Sequence, residues 1–468
     1  MAILAALTLS GCTVGPNFKE PAPDAPKGWV KPVRPNYPTT QAKVITDDPA
    51  NVAAWWTSFN DSLLDSLIDR AVRANLDLQQ AESRLRQARA QITSTAADLY
   101  PQVTTPGSYT RSGTGNSAAH DVSLWRAGLD ASWEIDVFGG VRRSVEAAKA
   151  DLQAAEEDRR NVQVQIVSEV AVDYAFLRGV QRQLEIARGN LELQKRNAAL
   201  VRRLFNNGNG FNSRLDVANA DASVATTASS IPVLETERRQ TIYAIALLLA
   251  EEPGALMGEL SVAQPIPLAP PEVPVGLPTD LLRRRPDVRR AVAQLHAATA
   301  RIGVAEADLY PRFSLTGEFA YGSNKAASLL DWGNHFWSIG PAVNWTLFDA
   351  GRIRANIKIQ NEAQYQALLS YRSTVLTALN DVENSIVAYA QEQEHRQALS
   401  DAVTANKQAV DLATTLYSQG QTDFLNVLSA QQRLFSSEDA LAQSDSAVTT
   451  NLIALYKALG GGWETPAK

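Results

Sequence analysis

The chain has 468 residues, a formal charge of −6 and one cysteine. The acidic balance excludes the basic surface that a nucleic-acid partner requires. Four scattered histidines (His120, His296, His335 and His395) lack metal-ligand spacing, and no Gly-rich phosphate loop or nucleophile elbow occurs, so no catalytic or metal site is expected.

The first element is an apolar run that ends in Leu9-Ser10-Gly11-Cys12, the pattern of a bacterial lipobox. Residues 1–11 then read as a removable signal, and Cys12 as the lipidated first residue of the mature chain. That covalent lipid is the only prosthetic group expected. Acyl chains contribute about 0.8 kcal/mol per buried methylene, and two or more hold stably where one does not. The alternative is a cysteine buried by chance. No Lys or Arg precedes the apolar run, which leaves the true translation start open. Residues 12–60, with a Pro-rich stretch from Pro16 to Pro49, read as an extended segment wrapped outside the fold.

From residue 61 the chain is written twice. ADLYP at 97–101 returns at 307–311, about 210 positions later. The same shift carries Asp77, Ala81 and Leu85 onto Asp287, Ala291 and Leu295, and Gly210, Leu215 and Val217 onto Gly420, Leu425 and Val427. Such a period is too long for a solenoid. Length alone suggests about three domains; the duplication replaces them with two pseudo-equivalent halves, 61–252 and 279–459. A Pro-rich linker, 253–278, joins them, and 460–468 forms a tail.

Each half begins with a helix and then two strands, expected near 101–113 and 122–138, and near 312–324 and 336–349. Leu129, Ala131, Trp133, Ile135 and Val137 alternate with Asp130, Ser132, Glu134 and Asp136. Phe313 to Tyr321 and Trp337 to Leu347 alternate in the same way, whereas Pro106 weakens the strand near Val103 to Tyr109. A period of two over about ten residues, with aromatics near the ends, is the pattern of a transmembrane barrel strand. A soluble half-buried sheet gives it too. On the barrel reading Trp133, Ile135, Val343 and Trp345 face lipid while Glu134, Asp136 and Asn344 face the lumen, with Ile135 near the bilayer midplane. Four strands cannot close a barrel, and a membrane tolerates no open edge, so several chains must share one.

Long helices follow. Neither Gly nor Pro interrupts Arg352 to Gln419, enough for a helix of about 100 Å. Leu368, Val375, Val382 and Tyr389 recur every seven residues, as do Leu434, Leu441, Val448 and Leu455 on the next helix, and the first half carries Leu177, Val180, Leu184 and Leu191. These are coiled-coil seams, compatible with an ordinary solvated coiled coil as well as with a wide helical tube. The longest apolar stretch, Ala244 to Ala250, is far short of a membrane-spanning helix. Gly208 and Gly210 in one half and Gly420 in the other supply the backbone freedom for hairpin turns at the pole away from the strands.

The lipobox, both ADLYP pentapeptides, LLRRRPDV at Leu281–Val288, YSQGQTDFLNVLSAQ at Tyr417–Gln431 and LGGGW at Leu459–Trp463 together resemble the lipoprotein (NodT-like) branch of the TolC-type outer-membrane factors, over essentially the whole mature chain. The resemblance implies a mixed α/β membrane protein: a homotrimer whose twelve-strand outer-membrane barrel, four strands per chain, continues into a periplasmic barrel of helices. It implies passive conduction of substrates, and no enzyme activity. The implied partners are a periplasmic adaptor, an inner-membrane transporter and outer-membrane lipid. The implied system is a multidrug efflux pump; a duct for type I protein secretion and a periplasmic coiled-coil scaffold are the alternatives. Similar ducts carry aspartates at the tip of the second repeat, where this chain has Asn426 and Ser429. A periplasmic gate is therefore expected at Asp216 with Arg214, then at Asp423, with Tyr417 and Asn426 beside them. The competing reading of Asp216 and Asp423 is helix capping.

Overall fold

The structure, a computed structural model, describes residues 13–22, 26, 28–30, 44–46, 52–113, 121–207, 213–267, 272–276 and 278–464. Cys12, Gly208 and Gly210 lie outside the described residues. In chain order the elements are β1 (Val44–Thr46), α1 (Ser62–Ala74), α2 (Leu76–Ala97), β2 (Gln102–Thr104), β3 (Gly107–Ser112), β4 (Val122–Ile135), α3 (Gly140–Asn206) and α4 (Arg214–Leu248). Then come α5 (Met257–Leu260), β5 (Glu272–Pro274), α6 (Pro278–Arg284), α7 (Pro286–Ala307), β6 (Arg312–Ser323), β7 (His335–Asn344), α8 (Arg352–Ser418) and α9 (Phe424–Ala458). Helix lengths recur in the same order: 22 residues in α2 and α7, 67 in α3 and α8, and 35 in α4 and α9.

Three strand boundaries differ from the sequence expectation. Pro106, which has no N–H to give to a ladder, divides the first strand into β2 and β3. The second stops at Ile135 rather than 138, because Asp136 turns its carboxylate to the start of α3. The fourth stops at Asn344, so Trp345 follows the strand instead of belonging to it.

The chain forms two compact units. One comprises residues 1–22, 82–158 and 287–374 and contains a five-stranded antiparallel sheet in the order β2-β4-β6-β7, with β3 also on β4. Because alternate strands run in opposite directions, α2, α3, α7 and α8 all join the sheet at the same end. In this unit Arg143, almost fully buried, donates to the carbonyls of Val14 (3.0 Å) and Gly15 (3.2 Å) and to Glu146 (2.7 Å), which also meets His296 at 3.0 Å. Burial opposes ionisation of Glu146, but the hydrogen bonds from Arg143 and His296 outweigh it and hold its pKa below the usual glutamate value. Gly303 is needed here: a Cβ would lie 2.8 Å from the Val14 carbonyl oxygen.

The other unit, residues 23–81, 159–286 and 375–468, holds the main apolar core. Helix α1 shows how the sequence builds it. Asp61 accepts from the backbone N–H groups of Leu63 and Leu64 at 3.0 and 3.2 Å, capping the helix, and Leu64, Leu67, Ile68 and Ala71 form one buried stripe. Each large side chain fully buried there contributes about 1.5–3 kcal/mol. Of the seam residues, Leu177, Val180, Leu184, Val375, Val382, Tyr389, Val448 and Leu455 are buried, whereas Leu191, Leu368, Leu434 and Leu441 are half-buried.

Two of the sequence motifs lie in this unit. Arg285 of LLRRRPDV is buried, donating to the Ala458 carbonyl (2.9 Å) and to Asp381 (3.2 Å). In LGGGW, Gly462 donates to the Val52 carbonyl (3.0 Å), and a Cβ on Gly461 would stand 2.7 Å from that same oxygen. Asp173 on α3 is pushed up to about 6, first by burial and then by Glu169 one turn away.

Candidate functional site

The sheet separates its side chains by face. Successive residues of a strand alternate sides, and partners in register share a side. The observed register puts Leu129 opposite Phe319, Trp133 opposite Leu315, and Ile135 opposite Phe313, with Trp337, Ile339 and Val343 continuing the same face on β7. On β7 this face is exposed in the single chain, Trp337, Ile339 and Val343 by 67, 68 and 61%, whereas Trp133, Ile135, Phe313 and Leu315 are half-buried. The opposite face carries Thr104, Arg126, Asp130, Ser132, Glu134, Thr316, Glu318, Ser338 and Asn344. Arg126 pairs with Glu318 on it and lies over the Phe336 ring at 5.6 Å.

Trp133, Ile135 and Val343 therefore share the apolar face, and Glu134 and Asn344 the polar one. Two placements change. Ile135 is the last residue of β4, so the middle of the apolar band falls at Leu129 and Ile339. Asp136 is a helix cap, accepting from the N–H groups of Val141 (3.2 Å) and Arg142 (2.9 Å). Asp349 does the same for α8 through Gly351 (2.9 Å) and Ile353 (2.6 Å), and these backbone bonds, Ile353 first, lower its pKa.

The tryptophans have a role that alternation did not reveal. Trp133 Nε1 donates to the Leu99 carbonyl at 2.9 Å, and Trp345 Nε1 to the Leu309 carbonyl at 3.1 Å. Leu99 and Leu309 are the leucines of the two ADLYP motifs. Each half thus ties its strand base to the preceding helix end in the same way, the two indoles standing 212 residues apart where the two leucines stand 210 apart. At this base a cleft of 370 Å³ is bordered by Asp98, Gln102, Ser132, Glu134, Asp308 and Arg312.

At the hairpins, Gly420 has φ +70° and follows α8, with Gln421 N–H donating to the Leu416 carbonyl at 2.9 Å, a helix-ending turn that glycine permits. A small core of Ala198 and Val201 on α3, Ala220 on α4 and Phe424, Val427 and Leu428 on α9 lies near the turns, with Ala413 and Tyr417 of α8 packed against it and the Tyr417 ring 5.6 Å from Phe424. The expected gate residues separate by role. Asp216 is in a capping box: its carboxylate accepts from Ser213 N–H (2.7 Å) and Oγ (2.9 Å), while its own N–H donates to Ser213 Oγ (3.2 Å). Asp423 occupies the N-cap position of α9 with no side-chain cap bond, so the capping expected of it is absent. Arg214 and Asp423 are exposed, and Asn426 Nδ2 donates to Thr422 Oγ1 at 2.8 Å.

Among the described residues no helix is long and apolar enough to cross a membrane. The family model described as "Outer membrane efflux protein" matches residues 67–251 and again 277–461. Nodulation protein T of Rhizobium leguminosarum bv. trifolii is 32% identical over 99% of this chain and 97% of its own length. The cation efflux system protein CusC of Escherichia coli K12 is 31% identical over 98% of each. The pyoverdine export outer membrane protein OpmQ of Pseudomonas aeruginosa is 33% identical over 89% of each. Among solved structures, the outer-membrane channel OprN superposes with a TM-score of 0.87 at 35% identity, covering 97% of this chain and 100% of OprN. The segregated sheet, the paired long helices and these likenesses agree: the chain belongs to the outer membrane efflux protein family, as an outer-membrane conduit that reaches into the periplasm and carries out transport rather than catalysis.

Proposed function

We propose that three copies of this chain close a twelve-strand barrel and form the exit duct of a tripartite multidrug efflux pump. Substrate is delivered by an inner-membrane transporter through a periplasmic adaptor, and the duct conducts it passively. The observation that carries this reading is the sheet of one chain, apolar on one face and polar on the other, with both edges unpaired among the described residues. Neither an isolated sheet nor a single chain satisfies its backbone in hydrocarbon; a closed ring of copies does, with the polar face lining the lumen. Relatives named for nodulation, cation efflux and pyoverdine export support a fold that does not itself select cargo. Cys12 carries the lipid anchor. Replacing it with serine should abolish palmitate labelling while leaving partial transport, because the barrel holds the membrane independently; full labelling of the Cys12→Ser protein would refute the lipobox.

The gate of this duct lies at the hairpin pole, built from Asp423, Arg214, Asp216, Tyr417 and Asn426, each repeated around the axis. Exposed charge pairs contribute about 0.2–1 kcal/mol each, a closing energy that adaptor docking can offset. Asp423→Ala removes no cap bond, so it should raise single-channel conductance in planar bilayers without lowering thermal stability. Asp216→Ala breaks the capping box and should cost about 1 kcal/mol of helix stability as well. Conductance at the closed wild-type level in both variants would place the gate elsewhere and leave Asp216 as a cap alone.

A further inference from the structure

Among the described residues, the two sheet edges left open are β7 on one side and β2 with β3 on the other. We infer that β7 of one copy pairs antiparallel with β3 of the next in the register that β4 and β6 use inside the chain, placing Val343 opposite Gly107 and Pro341 opposite Tyr109. This rests on the reading of a barrel shared between copies.

The register follows from the duplication. A shift of 212 carries Trp133 onto Trp345, and one of 210 carries Leu99 onto Leu309, the two residue pairs joined by the same indole–carbonyl bond. These shifts preserve strand register where it can be checked: they carry the pair Gln102–Ser132 onto Arg312–Asn344, which is itself an observed pair. Applied to the central seam, they carry Ala131–Gly317 onto Val343–Gly107 and Leu129–Phe319 onto Pro341–Tyr109.

Backbone direction gives an independent check. Gly128 N–H donates to the Pro106 carbonyl at 3.1 Å, so even-numbered residues of β3 turn their polar groups toward β4, and Gly107, Tyr109 and Arg111 turn theirs to the open edge. Carried through β4 and β6, the same alternation directs the backbone of Ile339, Pro341 and Val343 to the open edge of β7. Pro341, lacking an N–H, therefore costs no bond with β6, and across the inferred seam it accepts from the Tyr109 N–H without donating in return. In the inferred register, edge-facing residues meet edge-facing residues; a slip of one would set them against groups turned inward.

The exposed apolar side chains agree with this seam. Ile135 lies opposite Phe313 in the central seam, and the shifts bring Leu347 and Val103, 78 and 64% exposed in the single chain, into the equivalent positions. At the same junction Tyr310 stacks on Phe138 at 4.5 Å, whereas its counterpart Tyr100 is 68% exposed. The second copy supplies what is missing.

Disulfide trapping tests the register. A Cβ at Gly107 meets nothing within 4 Å, and hydrogen-bonded antiparallel partners sit at a Cα spacing of about 5.5 Å, within disulfide range. Val343→Cys with Gly107→Cys, oxidised in outer membranes, should give a ladder of covalent oligomers. The pair slipped by two, Val343→Cys with Tyr109→Cys, should give at least about fivefold less, against single-cysteine controls. Preferential cross-linking of the slipped pair in a protein that still migrates as an oligomer overturns the register alone. Migration of the unmodified protein as a monomer in mild detergent overturns the shared barrel on which it rests.

Discussion

Arginine at Ile339 should remove the protein from the outer membrane as a heat-stable species. Ile339 stands at the middle of β7, on the apolar face and 68% exposed in the single chain. On the barrel reading it faces the bilayer midplane, where arginine costs about 2–4 kcal/mol. Symmetry repeats that cost in every copy around the ring. Ser338, its neighbour, belongs to the polar face, and Ser338→Arg should assemble normally and alter only ion preference. Both are measured by outer-membrane fractionation and by heat-modifiable mobility. Equal tolerance at the two positions would mean that the faces are wrongly assigned, since nothing but the side of the sheet distinguishes them.

Loss of the Arg178 side chain should destabilise the fold by about 3 kcal/mol, because buried acceptors left without a donor cost about 1–3 kcal/mol each. Arg178 is fully buried on α3. It donates to Gln181 Oε1 at 2.7 Å, to the Val262 carbonyl at 2.9 Å and to Tyr174 Oη at 3.1 Å, and Tyr174 in turn donates to Asp61 at 2.6 Å. One guanidinium thus links α3, the segment after α5 and, through Tyr174, the cap of α1. Burial and the Asp61 carboxylate raise the Tyr174 pKa, more than Arg178 lowers it, so the phenol stays neutral as the donor in this chain. Arg178→Met keeps much of the volume and removes the donors, and its melting midpoint should fall clearly. Arg178→Lys should rescue little, since an ammonium group cannot reproduce the planar fork that reaches these acceptors and Gln264 Oε1 at 3.5 Å. An unchanged midpoint for Arg178→Met would show that water or neighbouring groups replace the bonds without cost.

The sequence by itself determined the elements whose signal is local or repeated. Alternation from Leu129 to Ile135 specified the strand and its two faces, and the Gly- and Pro-free run after Arg352 specified a helix that ends at Ser418, before the turn at Gly420. The heptad spacing of Val375, Val382 and Tyr389 named buried residues. Tertiary structure decided what depended on distant partners. Alternation continued past Asn344 although the ladder with β6 had ended, so Trp345 read as strand; its indole instead bonds Leu309, 36 positions back. Asp136 kept the polar phase of β4, yet the first-turn N–H groups of α3 take its carboxylate. Asp216 and Asp423 each stand at the start of a returning helix, but Asp216 is the N3 partner of the N-cap Ser213 in a capping box, whereas Asp423 holds the N-cap position itself with no side-chain cap bond. Periodicity reports which side of an element meets apolar surroundings. The end of a ladder, and the donor an individual carboxylate finds, depend on groups that folding alone brings within hydrogen-bonding distance.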